Sequence, residues 1–274
     1  MELFDSHCHI QSIGAPLGDE SVVEKWVRAG ITDPDEVINR ANQASVNRLI
    51  CVGCNPSDSQ LAVDFVARRD GCWASVGIHP HEAGRYGSNA TARLEMEALV
   101  AKPKVVAIGE CGLDYHYMHS PKAAQHELLR FQIELALKHN LPLIFHIREA
   151  FDDFWPIFES YQSQVQPIRG VLHSFTDTLA NLERAIRHSL LIGVNGIATF
   201  TKEKAQSEIY RTIPAEFLIL ETDAPFLTPS PFRGTICEPY HIQTIAEYLA
   251  ELRDEPIVSL AEATTRNSRR LFDL

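Results

Sequence analysis

Two histidines one residue apart close the first apolar run of the chain: in LFDSHCHIQS, residues 3–12, His7 and His9 follow Asp5. Side chains alternate along an extended segment, so an HxH pair points both imidazoles to one side and can clamp a divalent cation. Glu110, His146, His173 and Asp223 have the same capability. Four imidazoles and two carboxylates are the nitrogen and oxygen donors that divalent metals accept. A lone histidine at a strand end is more often a hydrogen-bonded structural residue than a ligand. Six such residues at the same end of five strands make the metal reading the stronger one. In that reading Asp5 supports the ligands from behind and Cys8 turns to the other side.

These residues must be brought together by the elements that carry them. Eight apolar, β-branched runs read as strands: 3–7, 47–53, 72–78, 105–110, 141–146, 170–175, 190–196 and 217–223. Amphipathic segments at 35–43, 123–139, 178–188 and 239–253 read as helices, and 259–272 as one more helix closing the end. Alternating strands and helices over this length indicate an α/β fold, a (β/α)8 TIM barrel, with the metal-capable residues at the C-terminal ends of the strands. No GxGxxG or Walker loop favours a doubly wound alternative. One long excursion, 11–34, stands between the first strand and the first clear helix, on the face where barrel active sites lie.

A chain of 274 residues with 45% hydrophobic content can bury a large core. With no linker or repeat, residues 1–274 read as a single domain. No run approaches a membrane span and the N-terminus has no signal-peptide pattern, which places the expectation in the cytoplasm. Six scattered cysteines fit reduced, packed thiols, and the lone CxxC at Cys51 and Cys54 is weak evidence for zinc or redox work. A formal net charge of −11 argues against a broad electrostatic grip on duplex DNA. Any nucleic-acid contact must be local, and bound cations could supply it.

The blocks FDSHCHI, VGIHPHE, AIGECGLDYH, PLIFHIREA, GVLHSFTDT, LIGVNG, LILETDAPFLTP and TTRNSRRLF run in order from residue 4 to 272. In these the chain resembles the TatD family of metal-dependent deoxyribonucleases, a branch of the amidohydrolase superfamily. GECGLDYH and ETDAPFLTP are highly specific; HxH alone would not be. The resemblance implies two divalent ions, Zn, Mn or Mg. His7, His9 and Asp223 would hold one, His146 and His173 the other, and Glu110 would bridge them. A glutamate at that bridge, where many amidohydrolases use a carboxylated lysine, favours the TatD branch. It further implies His79 at the scissile phosphate and Glu221 at a position able to hold an additional metal when DNA is bound.

The expected chemistry is hydrolysis of a phosphodiester by a water that bridges the ions, with Glu110 and Asp223 as catalytic residues and Asp223 moving the proton. Arg148 could meet a phosphate bidentately, and Tyr115 and His116 could line the pocket and stack on a base. Asp114 is expected to fix the loop or support a ligand rather than to bind metal. The substrate expected is DNA, attacked exonucleolytically at single-stranded or frayed ends, with no membrane and no obligate protein partner.

Two departures from the family bear on substrate. Relatives commonly read RGKRNEP where this chain reads RGTICEP, so Thr235, Ile236 and Cys237 replace two cations and an amide. The 11–34 excursion is longer than usual and carries Lys25, Trp26 and Arg28, which could guide and stack on a single strand or, in the case of the tryptophan, anchor the segment to the barrel. An ester, amide or lactone hydrolase or an aminoacyl-tRNA deacylase of the same superfamily is the alternative enzyme. A non-catalytic metal-binding barrel is the alternative of another class.

Overall fold

All eight apolar runs fold as parallel strands that lie in chain order within one sheet: β1 Leu3–Cys8, β2 Val46–Val52, β3 Cys72–Val76, β4 Val105–Asp114, β5 Leu143–Arg148, β6 Gly170–Leu172, β7 Leu191–Val194 and β8 Leu218–Leu220. The computed structural model describes residues 1–15, 20–162 and 167–274. The sheet returns on itself where β8 meets β1. Ser6 Oγ donates to the Leu220 carbonyl at 2.8 Å, Asp223 N to that of His7 at 2.8 Å, and His9 N to that of Ala224 at 2.8 Å. Helices intervene along the chain, completing the expected (β/α)8 barrel. No helix among the described residues is long and apolar enough to cross a membrane.

Parallel strands are buried on both faces, which is why they read as continuous apolar runs rather than alternating ones. One core lies inside the barrel, where Phe4, Ile50, Ala107, Ile144, Val171 and Ile219 meet. Phe272 seals its lower end, with its ring 6.1 Å from that of Phe4. The other core lies between the strands and the helices and includes Leu3, Cys8, Leu49 and Cys51. The closing helix, Ile257–Phe272, is tied to β8 and β1 by Asn267 Nδ2 to the Leu218 carbonyl at 2.8 Å and Thr265 Oγ1 to the Glu2 carbonyl at 3.1 Å.

Strict alternation would put Phe4 and Cys8 on the same face. The register of β1 breaks between Asp5 and Cys8, so Phe4 faces the barrel interior, Cys8 joins the outer core, and His7 and His9 take the inward direction. All six cysteines are free and buried.

The strand boundaries differ from expectation at the catalytic face. β4 runs four residues beyond Glu110, pairing Gly112 with His146 and Asp114 with Arg148. Conversely β6 and β8 stop early, so His173 and Asp223 stand on the loops just past them. Asp223 has φ +63° and Ser174 φ +51°, left-handed turns that swing the chain out of the sheet and cannot be read from hydrophobic pattern.

In the 11–34 excursion, Ile10–Ser12 form a short 3-10 turn and Glu20–Arg28 a helix, while 16–19 fall outside the described residues. Trp26 is fully buried and its Nε1 donates to the His9 carbonyl at 3.3 Å. It therefore anchors the segment beneath the site and cannot stack on a strand. Lys25 covers the Phe226 ring and Arg28 pairs with Glu24.

Candidate metal centre

The register break in β1 brings His7 Nε2 and His9 Nε2 to 3.3 Å from each other and to 3.6 and 3.3 Å from Asp223 Oδ1. His9 Nδ1 is 2.9 Å from the Val52 carbonyl, which can only accept, so Nδ1 carries a proton and Nε2, facing Asp223, is the nitrogen a metal would take in place of a proton. These three residues offer donor atoms within 4.8 Å of one another, the first of the groups able to hold an ion.

Glu110 closes the opposite side. Its amide, at the bend of β4, donates to the Gly53 carbonyl at 3.2 Å, and its carboxylate spans the mouth: Oε2 lies 3.4 Å from His7 Nε2, and Oε1 lies 2.8 Å from His146 Nδ1 and 3.8 Å from His173 Nε2. One carboxylate thus lies against both sets of imidazoles. His79, Glu110 and His146 form a second group within 4.8 Å. His146 and His173 share no such group among the described residues; what they share is Glu110 Oε1. His79, expected only at the phosphate, therefore stands beside the second position, its Nε2 3.6 Å from Glu110 Oε1.

Each of these two histidines is backed by a carboxylate on its outer nitrogen. His146 Nε2 is 2.9 Å from Asp114 Oδ2, and His173 Nδ1 is 3.0 Å from Glu221 Oε2, although the latter lies off the line of a ring N–H. A carboxylate behind an imidazole fixes its orientation and strengthens its inward nitrogen as a donor. Asp114 is fully buried, also lies 3.1 Å from His81 Nε2, and accepts from the Tyr117 amide at 2.8 Å. Asp5 plays a related part, accepting from the His7 amide, the Thr222 amide and the Thr222 hydroxyl, which ties the Asp223 loop to β1.

Burial and charge act in opposite directions here. Burial raises Glu110, but the imidazoles of His79, His173 and His7 and the hydrogen bond from His146 outweigh it and hold the carboxyl well below the usual range. Asp223 is lowered in the same way, burial opposing and His9, His173 and His7 prevailing. Burial depresses the histidines, yet Asp223 lifts His9 to about 9, Asp114 and Glu110 lift His146 to about 9, and Glu221 and Glu110 lift His173 to about 10. His7 and His79 go the other way, lowered chiefly by burial. The protein alone therefore gathers protons to balance its buried carboxylates, and bound cations would do the same work through the same atoms. The donor set and its convergence fit divalent ions.

The centre lies at the base of a cleft of about 1770 Å³ lined by His9, Glu110, His146, His173 and Asp223, with His79 and Arg148 on its wall. Among the described residues no carboxylate lies within ion-pair distance of Arg148, so the expected phosphate-facing guanidinium is available.

The expectation that Tyr115 and His116 line the cleft is corrected. Tyr115 points away from the cleft: its hydroxyl donates to Asp153 at 2.6 Å and its ring lies under Lys122, because the paired end of β4 turns the side chain outward. His116 is held by Glu149 at 2.7 Å. Glu221 is 1% exposed, accepts from the Ser174 amide at 2.6 Å and stands behind His173, away from substrate, and with His7 and His173 it forms a further group of donor atoms within 4.8 Å that could hold an ion. The altered RGTICEP loop does not line the cleft. Cys237 is buried and Arg233 covers the Phe200 ring. Cys54 borders the centre, with Sγ 4.0 Å from Glu110 Oε2, whereas Cys51 faces the outer core, so the CxxC is not a thiol pair.

Sequence reasoning passed over His81, Tyr117 and His119, all in the cleft wall. HPH at 79–81 repeats the spacing of His7 and His9 and is the signal that could have marked His81.

The comparisons agree with this geometry. Residues 4–273 match the family model described as TatD related DNase. The chain is 36% identical over 270 residues to an uncharacterized metal-dependent hydrolase, YabD, of Bacillus subtilis, covering 98% of each. It is 34% identical over 248 residues to the 3′-5′ ssDNA/RNA exonuclease TatD of Escherichia coli, covering 88% of this chain and 94% of that one. Among solved structures, a TatD homologue of Escherichia coli, YJJV, superposes with a TM-score of 0.85 at 25% identity over 99% of this chain and 98% of its own. A TatD-family hydrolase of Entamoeba histolytica, at 20% identity, shares the fold with a TM-score of 0.86 over the same shares. The chain belongs to the TatD family of metal-dependent hydrolases.

Proposed function

We propose that the protein is a two-metal phosphodiesterase that removes nucleotides from single-stranded or frayed ends of nucleic acid, DNA above all, in the 3′ to 5′ direction. The observation that carries it is the span of Glu110 between His7 and His146, one carboxylate reaching two groups of imidazoles. His7, His9 and Asp223 would hold one cation, and His146 and His173 the other, with Glu110 between them. Paired divalent ions would polarise the phosphate and ease deprotonation of the attacking water.

The remaining work falls to this chain. Asp223, its carboxyl held charged by neighbouring imidazoles, orients the water and accepts its proton. His79 accepts from the His81 amide through Nδ1 at 3.2 Å, so its proton sits on Nε2, directed into the cleft where a phosphate oxygen can receive it. Arg148 offers a planar fork to a second phosphate. The names of the relatives support the substrate class and polarity.

The test is a 5′-labelled single-stranded oligonucleotide incubated with Mg²⁺, Mn²⁺ or Zn²⁺, alongside aryl ester and lactone substrates. A ladder of progressively shorter labelled products that vanishes with chelator is expected. Ester or lactone turnover without any ladder would overturn the reading in favour of a different bond.

A further inference from the structure

One wall of the cleft carries a feature that the proposed chemistry does not use. Tyr117, at the loop after β4, is 52% exposed and its ring is stacked on His119, with centroids 5.7 Å apart and planes 13° from parallel. The edge of His81 meets the same ring at 5.6 Å and 85°, and the Arg148 guanidinium lies 5.0 Å from its centroid. His116 meets the ring as well, at 4.7 Å and 90°, and a solvent-facing tyrosine held by three imidazoles and a cation is a pre-ordered platform. Its backbone is fixed to the centre itself, since the Tyr117 amide donates to Asp114, the carboxylate behind His146.

The cation beside the platform says what it takes. Arg85 and Arg148 line the cleft among Glu24, Glu82, Asp177 and Glu203, and Arg148 is the cation that lies against Tyr117. A polyanion entering this cleft, in a chain of net charge −11, would find a cation at Arg148, beside the platform. Bases of a single strand are unpaired and offer flat faces of the kind that stack on aromatic rings.

We infer that Tyr117, carried by His119 and Arg148, is a stacking subsite for the nucleobase next to the scissile phosphate. The inference rests on the phosphodiesterase reading above and names which part of the substrate this wall recognises. Tyr117 is a binding residue and takes no part in bond breaking. Because every base has a π-face, the subsite tolerates any sequence but requires a base.

The experiment compares a labelled single-stranded oligonucleotide with one whose three terminal nucleotides are abasic, both bound to the full-length protein in chelator, where nothing is cut. Wild type is expected to bind the base-bearing strand about tenfold more tightly. Tyr117→Ala should abolish that difference by weakening only the base-bearing strand, and Tyr117→Trp should restore it. Equal affinity of wild type for both strands, or equal loss on both in Tyr117→Ala with a native melting profile, would overturn the subsite. Paired deoxyribo and ribo strands should show the same base dependence; a discrimination confined to one sugar overturns stacking as its source. A base-dependent difference in a protein that cuts no oligonucleotide would sink the nuclease reading and leave the subsite standing.

Discussion

Asp114 Oδ2 lies 2.9 Å from His146 Nε2, and the other nitrogen of the same ring is thereby aimed at Glu110, 2.8 Å away. Replacing Asp114 by Asn keeps the shape but offers a neutral partner in place of the carboxylate. One of two metal-binding events should weaken about 10- to 100-fold, read by calorimetric titration of the chelator-treated protein with Mn²⁺, while the other is unchanged. His146→Ala should remove the same event altogether. Two unaltered binding steps in Asp114→Asn would show that the carboxylate does not position the ring.

Gly193 bears on the other backed histidine. A Cβ at this residue would stand 2.4 Å from Glu221 Oε2, so Gly193→Ala must push Glu221 from behind His173. Tighter packing there should lower metal affinity at the second position by about tenfold or more, with a far-UV circular dichroism spectrum matching wild type. Wild-type affinity would mean that Glu221 relaxes without consequence for His173.

The raised histidines give opposite pH dependences with and without metal. His9 and His146 at about 9 and His173 at about 10 lie above their unfolded value, so the stability they contribute is fully present below about pH 6.5 and lost as pH rises through 9 to 10. Chelator-treated protein should therefore melt at progressively lower temperature across that window. Metal must displace those protons, so its affinity should climb over the same range. A metal affinity that falls on raising the pH from 6.5 to 9 would contradict the assignment.

Trp26 offers a separate check on the long loop after β1. Its buried ring fills the space under the site and its Nε1 holds the His9 carbonyl, so Trp26→Ala should cost about 3–5 kcal/mol in denaturant unfolding. Trp26→Phe should cost markedly less. If the side chain instead guides a single strand, Trp26→Ala would leave stability intact and weaken oligonucleotide binding.

The sequence marked the eight strands, and with them the candidate metal ligands, because parallel strands buried on both faces are uninterrupted apolar runs and polar side chains at their ends stand out. His7, His9, Glu110, His146, His173 and Asp223 were all legible in this way, and so was the role of Cys8. Where a side chain points depends on irregularities without a hydrophobic signature: the register break in β1, the four extra residues of β4, and the left-handed turn at Asp223. The β4 extension turned Tyr115 away and put Tyr117 in the cleft. Only the fold could place Asp114 and Glu221 behind His146 and His173, since the first pair joins the ends of β4 and β5 and the second the loops after β6 and β8, 32 and 48 residues apart. Local sequence records which face of a strand is apolar. Which carboxylate stands behind which imidazole is decided by strand order and register, and these are properties of the closed barrel.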